Sequence, residues 1–301
     1  GALPGLIVQW AHAKAALINL EKVFALQRDN HSVARPLIPE VIHGEFQVAD
    51  LHFTYPGRPE TLALERLHIR AGEKVAILGP VGSGKSTLLK LLAGLYQPGR
   101  GRVLLDGLDI QQIARDHLSE HLGYCPQDIK LLVGTLRDNL LTGLSGVDEE
   151  EILRVCRMTG LATLIAAHPK GLDLDIAEGG GGVSGGQKQL IALTRLLLAR
   201  PDVWLLDEPT AAMDEMTEQR SLAALRQTIA SQHTLVLVTH KPVLLGLVNR
   251  LIVLAPNGIM LDGPRDAVLE KLRQGAQQVA QAHGMRVVKP APAGPVEERA
   301  V

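Results

Sequence analysis

The sequence predicts an α/β fold with buried strands, on the evidence of three short apolar runs and the helical patterns beside them. The runs, at residues 75–78, 203–206 and 234–239, have the length of strands that are buried on both faces. A helical pattern follows the first run at residues 88–93, and another precedes the second at residues 189–200. Because α/β folds place ligands at strand ends, we expect the chemistry where these three runs end.

A glycine-rich segment follows the first predicted strand and fits the pattern G-x-x-x-x-G-K-[ST]. Between a strand and a helix, such a segment wraps its backbone N–H groups around phosphate, and the helix start adds unpaired donors. Lys85 is expected to hold the β- and γ-phosphates, the Ser86 hydroxyl to bind Mg²⁺, and Thr87 to be a secondary polar contact. The alternative is an ordinary turn with a solvated lysine, but the predicted strand before the segment and the predicted helix after it disfavour that interpretation. The predicted phosphate-binding residues are Gly79, Pro80, Val81, Gly82, Ser83, Gly84, Lys85, Ser86 and Thr87.

Two adjacent carboxylates end the second predicted strand. Asp207 is expected to hold Mg²⁺, directly or through water, and Glu208 is the candidate general base. They can divide these tasks because the chain turns where a strand ends. The alternative is a solvated pair of acids, which is less favoured because a phosphate-binding loop is present. ATP and Mg²⁺ are therefore the predicted substrate and cofactor.

A second glycine-rich segment, with Ser184, Gly185, Gly186 and Gln187, precedes the helical pattern at residues 189–200. With the helical pattern it precedes, this segment resembles the signature motif of ATP-binding cassette (ABC) transporters. Together with the first segment, it makes the chain similar to the nucleotide-binding domain of that family, over residues 45–273. It implies a P-loop NTPase fold with a RecA-like core, an antiparallel β subdomain and a helical signature subdomain. Helical patterns from Thr135 to Ala167 are similar to that subdomain.

The resemblance also implies roles for four residues that would not stand out alone. Tyr55 matches the aromatic residue that stacks on adenine, and Gln127 matches the loop glutamine that senses Mg²⁺ and the membrane domain. His240 matches the histidine that contacts the γ-phosphate. Asp214 matches the acid of a loop that crosses the dimer interface. Each has an ordinary structural explanation by itself, but their order and their placement at strand ends favour the functional one.

The mechanism implied by the resemblance is a head-to-tail homodimer. Two ATP molecules lie between the Lys85 loop of one subunit and the Ser184-Gly185-Gly186 loop of the other; binding closes the dimer and hydrolysis reopens it. During hydrolysis, the surrounding groups would stabilise the negative charge that develops on the phosphate oxygens. The predicted catalytic residues are Glu208, His240, Lys85 and Gln127, and the predicted metal ligands are Ser86, Gln127 and Asp207.

Three further segments resemble one branch of the family. Residues 94–98, 134–139 and 209–214, with Met213 before Asp214, are similar to type I secretion exporters of Gram-negative bacteria. That branch implies the cytoplasmic face of the bacterial inner membrane, with a membrane-fusion protein and an outer-membrane channel as candidate partners. Lipid, drug and peptide exporters share much of the pattern and remain the alternative. A soluble ABC ATPase is a more distant one, since the chain has one P-loop and no sustained heptads between the two motifs.

Composition excludes some classes of function. The 301 residues carry a formal net charge of −1, which gives no basic footprint for nucleic acid. Cys125 and Cys156 do not lie at metal-binding spacing, so we expect free, buried thiols. No segment has the ~20 apolar residues that span a bilayer, so a permease, fused or associated, must lie outside this sequence.

The chain divides into four predicted segments. Residues 1–28 carry an apolar stripe at helical spacing, which we interpret as the end of a membrane-domain helix; a surface helix docked on its own domain remains open. Residues 29–44 are a linker, 45–273 the ATP-binding domain, and 274–301 a helix end and a disordered tail. Gly1 suits a fragment of a longer polypeptide, although processing or a cloning scar would also leave a glycine. A hairpin at residues 251–261 precedes a final helix from Arg265.

Overall fold

The computed structural model describes residues 3–25 and 35–282. Within this part of the chain, a six-stranded sheet packs against helices on one face and against a helix and a four-stranded sheet on the other. In chain order the elements are α1 (Leu3–Phe24), β1 (Phe46–Thr54), β2 (Glu60–Ile69), β3 (Lys74–Leu78), α2 (Lys85–Leu92), β4 (Arg100–Leu105), β5 (Leu108–Asp109), α3 (Arg115–His121), β6 (Leu122–Cys125), β7 (Gly134–Thr135), α4 (Leu136–Leu141), α5 (Glu149–Thr159), α6 (Ala162–Ala167), β8 (Asp175–Ile176), α7 (Gly185–Ala199), β9 (Val203–Asp207), α8 (Glu215–Thr228), β10 (Thr234–Val238), β11 (Arg250–Ala255), β12 (Gly258–Pro264) and α9 (Arg265–Ala282).

The six-stranded sheet has the order β12-β11-β3-β10-β9-β6. Every pairing in it is parallel except that of β11 with β12, which forms the predicted hairpin at one edge. The three predicted strands are β3, β10 and β9, and they lie side by side. Their carboxyl ends therefore meet at one edge of the sheet, and the α/β prediction is confirmed.

Alternate residues of the central strands face two separate cores, which explains why these strands are apolar throughout. One face packs against the helical part of the chain, and the other packs against α2 and the four-stranded sheet. On the first face lie Ala76, Trp204, Leu206, Leu235, Leu237, Leu251 and Val253. On the second face lie Val75, Ile77, Val203, Leu205, Val236, Val238, Ile252 and Leu254.

The smaller sheet is antiparallel, in the order β2-β1-β4-β5. Along β1, Phe46 and Val48 are buried before Asp50, and Leu51 and Phe53 after it, because the alternation shifts by one residue at Asp50, which has φ 49°. This sheet is the antiparallel β subdomain that the resemblance implied.

Two polar residues cap the first two helices of the helical region. Thr135 caps α4 in a capping box with Asp138, and Asp148 caps α5. The helical pattern predicted from Ile152 to Ala167 is broken, because Gly160 adopts φ 89° and ends α5. α6 then begins separately at Ala162. The subdomain is helical as expected, but the chain changes direction once more than the pattern suggested.

The segments before and after the ATP-binding domain differ in their contacts with it. Side chains described along α1 are exposed, including Trp10 at 67% and Phe24 at 83%. The described part of the predicted linker docks on the domain: Leu37 pairs with Ile113, and Ile42 is buried. None of the described helices has the length and apolar character needed to cross a membrane. α9 begins at Arg265, as predicted, and the predicted disordered tail lies outside the described residues.

Candidate active site

The glycine-rich loop joins β3 to α2 at the edge where the central strands end. Gly79, Gly82 and Gly84 have φ values of 152°, 83° and 90°, which favour glycine. A Cβ atom at Gly79 would lie 2.2 Å from the carbonyl oxygen of Leu254 on β11. The loop backbone is thus pressed against the neighbouring strand, and a side chain at this position would displace it.

Lys85 lies at the start of α2 with its side chain folded into the loop. Its Nζ donates to the carbonyl oxygens of Gly79 at 2.9 Å and Pro80 at 2.8 Å. Burial lowers the pKa of Lys85, and the nearby charges of Glu208 and Asp207 oppose that shift. The ammonium therefore lies near both carboxylates and is held by two neutral carbonyl oxygens, which a phosphate oxygen could replace.

Asp207 ends β9 and is almost fully buried, at 1% exposure. Burial raises the pKa of its carboxyl, while a hydrogen bond from Ser86 and the charges of Lys90 and Lys85 act in the opposite direction. Its Oδ1 has no hydrogen-bond partner among the described residues. A buried, unpaired carboxylate oxygen beside a serine hydroxyl is a donor set that suits Mg²⁺, which prefers oxygen ligands.

Glu208 follows directly and has φ 49°, the left-handed region that non-glycine residues rarely adopt. Its N–H donates to the Val238 carbonyl of β10 at 2.9 Å. The side chain is buried, and its Oε1 has no hydrogen bond within the described chain, although His240 Nε2 lies 3.5 Å away. The two adjacent carboxylates thus have different neighbours, Ser86 for Asp207 and His240 for Glu208.

Gln189, on the second turn of α7, is a residue that the sequence analysis missed. Its buried amide donates to the backbone oxygen of Glu208 at 3.2 Å and accepts from the N–H of Ala212 at 2.8 Å. One side chain therefore joins the helix of the second glycine-rich segment to the chain just after β9. The sequence did carry a signal for this residue: Gln189 precedes Leu193 by four residues, and this spacing places both on the core face of the helix.

A second missed cluster joins the segments that carry Glu208 and His240. Lys241 Nζ donates to the Thr210 carbonyl at 2.8 Å and pairs with Glu218 at 2.7 Å. Glu218 also accepts from the Thr210 hydroxyl at 2.6 Å. These contacts hold the ends of β9 and β10 together at the site.

The second glycine-rich segment begins α7. Ser184 and Gln187 form a capping box, with Gln187 N–H to Ser184 Oγ at 3.2 Å and Ser184 N–H to Gln187 Oε1 at 2.7 Å. A Cβ at Gly186 would lie 2.6 Å from the Ala212 carbonyl oxygen, so close packing within the chain explains this glycine. Gly185 is exposed, and a Cβ there would meet only Ala212 Cβ, at 3.8 Å.

Tyr55 lies next to the start of α2. Its ring packs edge-on against Phe53 at 4.8 Å and Tyr96 at 5.5 Å between centroids. Its hydroxyl is 3.4 Å from Thr87 Oγ1. The half-buried ring thus lies beside the phosphate-binding loop, where a nucleotide base can reach it.

The remaining predicted residues lie at the surface. Gln127 is exposed in the loop after β6. Asp214 caps α8, and its carboxylate accepts from the Thr217 N–H at 2.9 Å and the Thr217 hydroxyl at 2.8 Å. These bonds lower the pKa of Asp214. Its role at an interface stays a prediction, since its own helix already uses the carboxylate.

Both cysteines are free and buried, as predicted. Burial raises the pKa of Cys125 to about 12 and that of Cys156 to about 11. Neither thiol is poised for chemistry at neutral pH.

Comparisons with known proteins agree with this geometry. The model of the ABC transporter family matches residues 65–211. The chain is 34% identical over 264 residues to the mitochondrial iron-sulfur clusters transporter ATM1 of Candida glabrata, covering 86% of this chain and 36% of that protein. It is 35% identical over 229 residues to the ABC transporter ATP-binding protein YwjA of Bacillus subtilis, covering 76% of this chain and 40% of that protein.

A solved structure gives the same result in three dimensions. A bacterial Atm1-family ABC exporter with ATP bound superposes with a TM-score of 0.76 at 30% identity, covering 90% of this chain and 49% of that chain. The present chain thus spans less than half the length of these relatives. The fold, the strand-end cluster of Lys85, Ser86, Asp207 and Glu208, and these matches lead to one conclusion: the chain contains a nucleotide-binding domain of the ABC transporter family.

Proposed function

We propose that this chain binds and hydrolyses ATP and that hydrolysis drives an exporter. The observation that carries the proposal is the group of buried, unpaired oxygens at the strand ends, Asp207 Oδ1 and Glu208 Oε1, beside the Lys85 ammonium. Unpaired buried oxygens are costly to a fold unless a ligand completes them. A magnesium ion and a triphosphate supply the positive charge and the anionic oxygens that this group lacks.

Each residue has a distinct part in the proposed reaction. Mg²⁺, when bound, would neutralise charge that develops on the phosphate oxygens; Asp207 and Ser86 fit it as ligands, with Gln127 as a further candidate. Lys85 holds the β- and γ-phosphates. Glu208 orients the attacking water and accepts its proton, and His240 contacts the γ-phosphate.

The first test separates binding from chemistry. Glu208→Gln is expected to keep ATP affinity and to lose nearly all turnover, because the phosphate-binding groups stay in place. Steady-state phosphate release measures turnover, and titration with a fluorescent ATP analogue measures affinity. A variant with near-normal turnover would remove Glu208 as the general base.

We further propose that two copies of the chain share each ATP, with the Lys85 loop on one side and the partner's Ser184-Gly185-Gly186 loop on the other. Gly185 supports this proposal, because it is exposed and close packing within its own chain does not require a glycine there. The start of α7 also offers unpaired backbone donors to an anion. Asp214, on a neighbouring loop, is proposed to lie at the same interface.

Mixing two inactive variants tests the shared site. Lys85→Ala and Gly185→Asp homodimers have both sites damaged and should be inactive. In a heterodimer of the two, one site carries both lesions and the other combines two wild-type loops, so partial ATPase activity should return. As a control, heterodimers of wild type and the double variant carry one lesion in each site and should stay inactive. No recovery, with heterodimers shown by native mass spectrometry, would contradict sharing.

The class of exporter follows from the relatives. The sequence predicted type I protein secretion, but the relatives of this chain include ATM1 transporters and ATP-binding cassette sub-family B member 6 of Mesocricetus auratus, at 31% identity. They favour the alternative, a lipid, drug or peptide exporter, and we propose an Atm1-like half-transporter. A membrane-fusion protein and an outer-membrane channel belong to the secretion hypothesis and gain no support from these relatives.

We propose that a transmembrane permease, fused or associated, is coupled to this domain and places it at a membrane surface. The exposed apolar side chains of α1, such as Trp10 and Phe24, suit a helix that packs against another domain. The complete gene tests fusion: six apolar spans encoded ahead of the domain would support it. A start codon at the domain itself would indicate a separate ATPase subunit.

A further inference from the structure

A cluster of metal-ligating side chains lies away from the candidate active site, on α3. It consists of His117, Glu120 and His121. β6 begins at Leu122, immediately after the cluster, and is parallel to β9. The cluster therefore lies at the amino ends of the strands, whereas ATP is proposed to bind at their carboxyl ends.

The three side chains are arranged on one helix face. Each offers one ligand atom, and these atoms all lie within 4.8 Å of one another. The two imidazole rings, four residues apart, have centroids 4.7 Å apart. Histidines at this spacing on a helix are a known way to hold zinc. Ligands around tetrahedral zinc are roughly 3.4 Å apart, so the three ligand atoms need to approach one another by no more than about 1.4 Å to close around an ion.

A carboxylate from another element orients one of the histidines. His121 Nδ1 lies 2.6 Å from Asp202 Oδ2, in the turn between α7 and β9. This leaves Nε2 of His121 as the ring atom available to a ligand. Metal-binding histidines commonly use their second nitrogen in this way, because a carboxylate partner fixes the ring and strengthens the ligand.

His117 supplies a second observation. Its Nε2 is buried and has no hydrogen-bond partner among the described residues. A simple ion pair with Asp202 explains the position of His121, but it explains neither this unpaired nitrogen nor the position of Glu120 beside both rings. A cation held by the three side chains explains all of them together.

We propose that His117, Glu120 and His121 form a binding site for Zn²⁺, with Asp202 as an outer partner of His121 and water completing the coordination. Two imidazoles and a carboxylate suit zinc better than the all-oxygen preference of Mg²⁺. Bound there, zinc fixes the end of α3 against the turn that joins α7 to β9. The site is independent of the proposed ATPase activity.

The test uses the untagged 301-residue chain, freed of metal with a chelator and kept without nucleotide. Calorimetric titration with ZnCl₂ is expected to show one equivalent bound, and thermal unfolding to shift upward by several degrees at about 100 times the Kd. His121→Gln and Glu120→Gln should each weaken binding by at least about 100-fold. Asp202→Asn should weaken it by about 10- to 100-fold, the range typical of outer partners.

Two controls keep the result interpretable. Asp207→Asn removes the proposed Mg²⁺ ligand, and it should leave the zinc equivalent unchanged. His12→Gln removes an exposed histidine on α1 and should also leave the zinc equivalent unchanged. Circular dichroism without metal checks that each variant is folded. Zinc binding that survives both His121→Gln and His117→Gln, or that disappears with Asp207→Asn, would overturn the proposal.

Discussion

Gln189 gives the sharpest test of how the site is held in place. Gln189→Leu keeps the side-chain volume and removes both hydrogen bonds, to the Glu208 carbonyl and from the Ala212 N–H. The Glu208 carbonyl still accepts from the Ala211 N–H at 3.2 Å, and Ala212 is exposed, so water can replace its lost partner. The expected loss of stability is therefore about 1–2 kcal/mol, near the net value of two hydrogen bonds, and the domain stays folded.

The effect on turnover should be larger than the effect on stability. Glu208 holds a left-handed backbone conformation that costs on the order of 1–3 kcal/mol, and Gln189 is one of the contacts that oppose its relaxation. A general base displaced by about 1 Å loses much of its effect, so we expect kcat to fall about 10- to 100-fold. The KM for ATP should change little, because Lys85 and its loop are untouched.

Matched variants on the same helix complete this experiment. Thr194→Val removes hydrogen bonds to Thr159 at 2.9 Å and to the Leu190 carbonyl at 2.7 Å, and it should cost similar stability with kcat unchanged. Gln189→Glu keeps an acceptor for the Ala212 N–H but loses the donor to Glu208, and it should resemble Gln189→Leu in kcat. Urea unfolding and steady-state phosphate release measure the two quantities. If Gln189→Leu keeps wild-type kcat while losing as much stability as Thr194→Val, its role is structural only.

Two further predictions concern single groups of the site. Asp207→Asn should stabilise the nucleotide-free chain at neutral pH: burial raises the pKa of the carboxyl, so ionising it costs folding free energy. The gain in stability is complete at pH values above the raised pKa, and it vanishes below the unfolded-state pKa of about 3.9. Urea unfolding at pH 7 and at a pH below about 3.9 measures the gain, and equal stability of variant and wild type at pH 7 would contradict the argument. Tyr55→Ala should weaken ATP binding by about 1 kcal/mol, roughly fivefold in Kd by calorimetry, whereas Tyr55→Phe should not, since the hydroxyl contact to Thr87 is long, at 3.4 Å. Equal losses in both variants would show that the hydroxyl, and not stacking, matters.

The sequence predicted those parts of the molecule in which a short motif carries its own context. A strand, a glycine-rich loop and a helix are continuous in the chain, so the position of Lys85 at the end of β3 could be deduced without any partner. The same is true of Asp207 at the end of β9. Their meeting followed from one further rule, that strand ends in such sheets share an edge.

Other features depended on distant partners or on one glycine. Gln189 contacts Ala212, 23 residues away, and Lys241 contacts Thr210, 31 residues away, so no local pattern identifies either bond. Gly160 was a local signal that the apolar pattern around it outweighed, although glycine after a helix commonly takes a left-handed conformation. The exporter branch was harder for another reason: residues 94–98, 134–139 and 209–214, which were used to assign it, lie in the nucleotide-binding domain, and lipid, drug and peptide exporters share much of this pattern.

The unpaired groups are the strongest link between this fold and its proposed chemistry. Four buried side-chain oxygens lack hydrogen-bond partners within the described chain around the end of β9. Ser83 Oγ, Asp207 Oδ1 and Glu208 Oε1 lie at the strand end and the loop after β3, and Tyr124 Oη lies on the neighbouring strand β6. Each such group costs on the order of 1–3 kcal/mol when left unsatisfied. Folding alone would favour apolar residues at these positions. Their grouping beside Lys85 therefore indicates a ligand that is anionic toward Lys85 and cationic toward Asp207, which is the charge pattern of a magnesium–triphosphate complex.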